Sequence, residues 1–481
     1  MIAPSFVREE ETRRWWVLTG ASTGLFILML DSTTLPLALP SVQLELGASA
    51  SGLQWVQNVY LLTIAALVIT LGRLGDILGR KRVFQFGLIA FAVGSVISAI
   101  ADSVVELIAG RVVQGAGGAA LLALSLAIAN LAFAPEDRPR AVGIWAAVSA
   151  IALAIGPLVG GIAIELVGWR LIFWLVVPLA VLAFAIMAVA APESRDETAD
   201  TRIDVVGLLT LTAGLTAVVL ALVQGKPWGW DSPATLGALA GGIGLLAAFC
   251  VLEHRVREPM VDFSLFRSGP YFGATAAAFA LVGSYWALMF YLPQYIRLVL
   301  DHSAFLSGLL VLPVTLPMMA ISPFAGRLTA RVGARRLMTI GMACATVGML
   351  VLTRAQGGIE YVQMFPGLLL FGVAMGVVYA AMSAAAMAAL PPEKAGVASG
   401  VLAMNRTLAG AMLLAVGGAI FQHVELERRL DGSSFDVAFS DGLAGVAWLL
   451  VAVLVLGTVL TWLYIRGAPS AGEPHHRRFH L

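Results

Sequence analysis

Read as apolar and polar positions, the chain alternates long hydrophobic runs with short polar punctuation. Runs bounded by charge, Gly and Pro begin near residues 15, 52, 83, 104, 141, 171, 204, 234, 271, 304, 336, 362, 396 and 442. Each is near the length of about 20 residues that an α-helix needs to cross a bilayer. The pattern predicts an all-α membrane protein of fourteen spans, with both ends on one side. The first run follows Arg13 and Arg14, as a cleaved leader would. Glu9, Glu10 and Glu11 stand in its flank and no small-x-small site precedes Pro40, so a retained first helix is expected.

Composition agrees: 59% of the 481 residues are hydrophobic and only 12% charged, with mean hydropathy +0.90. Soluble domains carry about twice that charged fraction. Charge placement supplies an orientation. Twenty-two of the 30 Lys and Arg fall at the two ends and in the even-to-odd connections. Six fall in the opposite connections (Arg170, Lys226, Arg297, Arg354, Arg428 and Arg429), and Arg111 and Arg406 lie inside spans. Basic residues stay on the cytoplasmic side, so a multi-pass protein of the cell membrane with both termini cytoplasmic is expected. A net charge of +1 with no basic domain argues against nucleic acid as a partner. Cys250 and Cys344 sit in apolar runs as inert thiols, and the tail "HHRRFHL" reads as a solvated end, not a metal site.

An internal repeat sets the architecture. "GRLGDILGRKR", Gly72 to Arg82, returns as "GRLTARVGARR", Gly326 to Arg336, 254 residues later. That offset covers eight spans, which implies two six-helix bundles with a helix pair between them. The expected units are 1–200, an inserted pair at 201–268, a second bundle at 269–466 and a tail at 467–481. Weak repeats of this kind mark alternating-access transporters, whose site lies between the halves.

These segments carry a family resemblance. "GRLGDILGRKRV" is similar to the signature loop of the major facilitator superfamily, "RVVQG" at Arg111–Gly115 to its span-4 motif, and "AIGPLVGG" at 154–161 to its span-5 antiporter motif. "LDSTTLPLALP" resembles the span-1 signature of the fourteen-helix drug:proton antiporters, with "DVVGLLTLTAGL" in span 7 and "NRTLAG" in span 13 agreeing. Three positions depart from the pattern: Ala330 where the first loop has Asp76, Ala152 in span 5, and Val176 in "WRLIFWLVVP".

Candidate chemistry follows from charge in oil. Asp31 lies about 22 Å along span 1, and Arg111 about 10 Å below the outer face in span 4, so both fall in the outer half. A buried acid and base at one level are expected to couple, directly or through Gln114 and water, and Asp31 is the candidate proton carrier. A purely structural pair is the competing reading. Glu165, at the outer end of span 5, is a second acid. In the signature loop, Gly72 and Gly79 permit the turn, and Arg80 and Arg82 hold it at the surface. The resemblance implies that Asp76 faces the start of span 11 across the bundle interface and latches the outward-open state. Gly156, Pro157, Gly160 and Gly161 form a kinked close-packing face on span 5 expected to seal the bundles on the outer side. Tyr60, Trp145, Tyr285, Trp286 and Tyr379 are candidates for an aromatic cavity, against lipid-facing or interhelical packing as the competing reading, with Arg406 a structural or substrate-gating charge.

The resulting expectation is a monomeric secondary transporter that exports lipophilic or cationic small molecules in exchange for protons. A dedicated exporter of one metabolite, lipid or siderophore, or a passive channel, are the alternatives. No Gly-x4-Gly-Lys-Ser/Thr loop and no His-Glu-x-x-His occur, so no ATP- or metal-dependent enzyme, cofactor or bound metal is expected. Spans 7 and 8 hold no deep acid and are expected to lie outside the bundles.

Overall fold

The even-numbered runs repeatedly begin just after a serine, and the structure shows why. In a computed structural model of the chain, Ser49, Ser103, Ser232, Ser303 and Ser434 each cap a helix by accepting a backbone N–H three residues on. The structure describes residues 10–196, 204–256, 259–356, 358–391 and 394–465. The expected tail at 467–481, Glu9, and the 200/201 boundary lie outside these residues. The helices are α1 (Glu10–Leu46), α2 (Ala50–Leu78), α3 (Arg80–Ala99), α4 (Val104–Leu131), α5 (Arg138–Leu166), α6 (Leu171–Ala190), α7 (Val205–Trp228), α8 (Pro233–Glu253), α9 (Gly269–Leu298), α10 (Ala304–Val332), α11 (Ala334–Leu352), α12 (Tyr361–Ala388), α13 (Ala395–Leu430) and α14 (Phe435–Tyr464). All fourteen are long and apolar enough to span a bilayer. The face where α1 begins and α14 ends is called the terminal face, and its opposite the far face.

Packing follows the repeat. α1 packs against α4, α5 and α6, α4 against α2 and α3, and α3 against α6. Eight helices on, α9 packs against α12, α13 and α14, α12 against α10 and α11, and α11 against α14. The two signature loops turn alike. Gly79 alone joins α2 to α3 at φ 117°, and Gly333 alone joins α10 to α11 at φ 87°. Both values lie where only glycine is comfortable.

The bundles meet along two seams related by the same symmetry, α2 with α13 and α5 with α10. The α5–α10 seam is tightest towards the far face. Gly161 lies so close to α10 that a Cβ would sit 2.6 Å from the Ala304 carbonyl oxygen, and a Cβ on Gly308 would sit 2.3 Å from that of Pro157. Deeper in, the Thr315 hydroxyl donates to the Ala154 carbonyl at 3.2 Å. Towards the terminal face the seam opens: Gly143, Ile144, Ala146 and Ala147 on α5, and Pro323, Phe324, Gly326 and Arg327 on α10, are exposed. On the far side Arg297 of α9 also donates to the Leu37 carbonyl and to Ser41 of α1, both at 2.9 Å. The bundles are thus closed on the far side and parted on the terminal side.

The inserted pair is asymmetric. α7 lies against α2 and α13, covering one seam, and Lys226 donates to the Gln422 carbonyl at 2.7 Å. α8 packs chiefly on α7 and is the most exposed span, 17% buried over its apolar window against 83% for α1 and α9. α1 and α9 are therefore central and α8 peripheral, and neither inserted helix crosses the space between the bundles.

Close approach at Gly308 predicts that Gly308→Val wedges the far-side seam apart. In a protein with Cys250 and Cys344 removed, a Ser307→Cys reporter, buried in the native packing, should label faster with an impermeant maleimide from the far side. Unchanged labelling of folded protein would contradict the seal.

Candidate functional site

The region around Asp31 is assembled by hydroxyl-rich turns of α1. Ser32, Thr33 and Thr34 return their hydroxyls to the carbonyls of Leu28, Met29, Leu30 and Asp31, within the helix itself. Polar side chains are thereby accommodated in an apolar segment. Pro36 and Pro40 follow, each removing a backbone donor. Asp31 faces α4, where Arg111 and Gln114, three residues apart, share one helix face. An Asp31 carboxylate oxygen accepts from Arg111 Nη1 at 2.6 Å, and the other from Gln114 Nε2 at 3.2 Å. The Arg111 and Asp31 side chains are 0% and 1% exposed, so this is a fully desolvated ion pair.

Arg111 has further partners. It donates to Gln114 Oε1 at 2.8 Å and to the Val56 carbonyl of α2 at 3.4 Å, and its guanidinium lies 3.8 Å from the Tyr60 ring centre. Gln114 also donates to Ser95 of α3 at 2.7 Å. Such close approach of α3 depends on glycine, since a Cβ on Gly94 would lie 2.4 Å from the Gln114 backbone nitrogen. One guanidinium nitrogen, Nη2, is buried without a partner. Ser95 was not foreseen; a lone serine in an apolar run carries no signal of what it faces.

Glu165 is remote from this cluster. It is exposed at the far end of α5 and accepts from the Phe305 backbone N–H at the start of α10, at 3.4 Å. The span-5 glycines do sit beside the ion pair. A Cβ on Gly156 would collide with Thr33 Oγ1 at 1.9 Å, and one on Gly160 would lie 3.0 Å from Thr34. Asp31's neighbours on α1 therefore touch the face of α5 next to the one that, through Pro157 and Gly161, meets α10.

The signature loop differs from expectation. Asp76 pairs with Arg80 of its own loop at 2.7 Å, not with α11. With the terminal halves parted, the nearest cation is the one a helical turn away. Residues after α6 hold the loop: Arg80 N–H donates to the Ser194 carbonyl at 2.8 Å, Lys81 N–H to Glu193 at 3.0 Å, and Asp196 N–H to the Asp76 carbonyl at 2.9 Å. Arg82 lies 3.6 Å from Glu193. The carboxylate of Glu193 occupies the space where a side chain at Gly79 would be, while a Cβ on Gly72 would make only an ordinary contact, 3.6 Å from Ala123. Glu193 escaped the sequence reading because nothing local links "PES" to a loop 112 residues earlier.

The aromatic candidates divide. Tyr285, Trp286, Tyr379 and Arg406 all lie in the second bundle: Tyr285 meets Trp286 edge-on at 5.4 Å and is within electrostatic reach of Tyr379, Trp286 lies against Gly410, one turn from Arg406, and Arg406 lies 4.4 Å from the Tyr379 ring centre. Tyr60 is placed elsewhere, fully buried beneath Arg111 with its hydroxyl on Ser32 at 3.3 Å, so it belongs to the ion-pair cluster and not to a cavity wall. Trp145, on α5, donates to Ser125 of α4 at 3.2 Å.

Known proteins match this arrangement. The Major Facilitator Superfamily profile matches residues 21–414. The multidrug resistance protein Stp of Mycobacterium tuberculosis is 32% identical over 84% of this chain and 75% of its own. The puromycin resistance protein pur8 of Streptomyces alboniger is 30% identical over 96% of this chain and 93% of its own. Among solved structures, a bacterial homologue of the human lysosomal transporter Spinster, crystallised inward-facing and unoccupied, superposes with a TM-score of 0.68 at 16% identity, covering 94% of this chain and 97% of the other. Sequence match, paired six-helix bundles and repeated signature loop agree, and the chain belongs to the major facilitator superfamily.

Proposed function

We propose that the chain is a proton-coupled exporter of lipophilic, drug-like small molecules, working by alternating access with both termini in the cytoplasm. Relatives that are multidrug and antibiotic resistance proteins support the export of drugs. The observation that carries proton coupling is the desolvated Asp31–Arg111 pair. An ion pair kept only for stability gains little over well-packed apolar side chains, so its retention in the bilayer favours a task. Gln114, Val56 and the Tyr60 ring hold Arg111 whether or not Asp31 is charged, so the acid can take up a proton while its partner stays in place.

Protonation removes the charge that binds α1 to α4. The turn just beyond, Thr33 and Thr34, lies on Gly156 and Gly160 of α5, one helix from the far-side seam. A change in α1 is thus positioned to loosen that seam, while closure of the terminal side would bring the signature loop towards α11. In that second state Asp76 exchanges Arg80 for the α11 N-terminus, whose unpaired N–H groups attract a carboxylate. The protein is proposed to work as a monomer in the bilayer, its substrate moving between the bundles.

Two outcomes test this. Asp31→Asn keeps the side-chain shape and removes the titratable proton. In proteoliposomes, accumulation of rhodamine dyes driven by a pH gradient should disappear while the protein remains folded. Full gradient-driven accumulation by folded Asp31→Asn would overturn the proton role. A purely structural pair predicts instead a stability loss of about 3–5 kcal/mol, because Arg111 would lose its counter-charge. For Asp76→Asn, insertion should be normal, transport slower, and far-side reporter cysteines less accessible as the balance shifts to the terminal-open form. Unchanged transport and unchanged labelling would remove the latch.

A further inference from the structure

The second bundle holds a charge that the proton mechanism does not use. Arg406 lies eleven residues into α13, about 16 Å of helix from the terminal end and so near mid-bilayer. It is only half-buried there. Its guanidinium donates to Ser383 at 2.5 Å and to the Tyr379 hydroxyl at 3.4 Å, both on α12, and it stacks on the Tyr379 ring. No carboxylate pairs with it among the described residues. Asp31 is taken by Arg111, and every other described Asp or Glu lies within about two turns of a helix end or in a connection.

The surrounding polar groups do not replace the missing anion. Tyr271 of α9 spends its proton on the Ala398 carbonyl at 2.9 Å, and the Asn405 amide donates to the Thr275 carbonyl at 3.0 Å. Ser383 returns its proton to the Tyr379 carbonyl at 3.0 Å. Arg406 Nε and the Tyr285 hydroxyl are buried without partners. The site therefore has surplus N–H and O–H donors, one fixed positive charge with the Tyr379 ring against it, and the Trp286 ring one turn along α13 at Gly410. Arg406 thus reaches across from α13 to α12 within the second bundle, at a depth between the closed far side and the parted terminal side.

A lone guanidinium at this depth is costly unless an anion joins it, and guanidinium matches a carboxylate with two parallel hydrogen bonds. We propose that Arg406, with Tyr285 and Tyr379, binds the carboxylate of an aromatic, acid-bearing substrate. The preferred cargo is then a planar lipophilic acid or zwitterion, not the simple lipophilic cation that the sequence alone leaves open. This inference takes its transported class from the export reading, but its test needs neither a gradient nor transport.

Rhodamine 110 and its methyl ester, rhodamine 123, share one ring system and differ in a carboxylate against an ester. Fluorescence polarisation with the purified full-length protein in detergent should show the carboxylate dye binding about tenfold or more tighter, the scale of a charge-assisted hydrogen-bonded pair. Arg406→Gln should lose that preference by weakening the carboxylate dye alone, and Arg406→Lys should keep part of it. Equal or tighter binding of the ester by the wild-type protein, binding of neither dye, or a preference that survives in Arg406→Gln would overturn the proposal. If the Gln variant does not fold, the wild-type comparison still decides it. Loss of proton-driven export with an intact carboxylate preference would count against the export reading and leave this one standing.

Discussion

Opposite charges buried in a medium that cannot solvate them constrain the rest of this molecule. Removing a carboxylate and a guanidinium from water costs several kcal/mol per ion, recovered only with good geometry and further hydrogen bonds. Here that geometry is built from four helices. Asp31 comes from α1, Arg111 and Gln114 from α4, Val56 and Tyr60 from α2, and Ser95 from α3. Each must sit within hydrogen-bond or ring-contact reach of the next, which fixes the relative depth and rotation of most of the first bundle. The glycines that let α3 lie on α4, and α1 on α5, follow from that requirement as much as from packing.

The two bundles are related in packing but not in charge. Both loop glycines, both seams and the helix pairings repeat, whereas among the described residues the paired acid of the first bundle has no counterpart beside Arg406 in the second. Asp76 likewise has no acidic equivalent at position 330. The inserted helices add a further asymmetry, because α7 covers the α2–α13 seam and leaves the α5–α10 seam bare. In the proposed mechanism this asymmetry gives proton and substrate separate places, one in each half.

Much of this was legible in the chain. Apolar runs gave fourteen helices with starts mostly within three residues, because a bilayer imposes length and apolarity on each span. α14 was the largest error, beginning at Phe435 and not near 442. Its first two turns carry Asp436 and Asp441 and run beyond the apolar stretch, so hydropathy missed them. The ion pair was legible because charge in oil is rare and helical rise converts sequence position into depth. The loop anchor at Glu193, the Arg297 contacts with α1 and the Lys226 contact with Gln422 were not, since each joins segments far apart in sequence by hydrogen bonds that any polar residue can form. Asp76, expected at the start of span 11, pairs instead with Arg80 of its own loop, one helical turn away.

In the proposed mechanism Asp31 gains and loses a proton while Arg111 remains held. Infrared difference spectroscopy of the membrane-reconstituted protein, titrated through the pH range in which it transports, reports this without knowledge of the substrate. A protonated-carboxyl carbonyl band should grow as pH falls and be missing from Asp31→Asn. A spectrum in which that band is absent from the wild-type protein, or unchanged in Asp31→Asn, would contradict this mechanism.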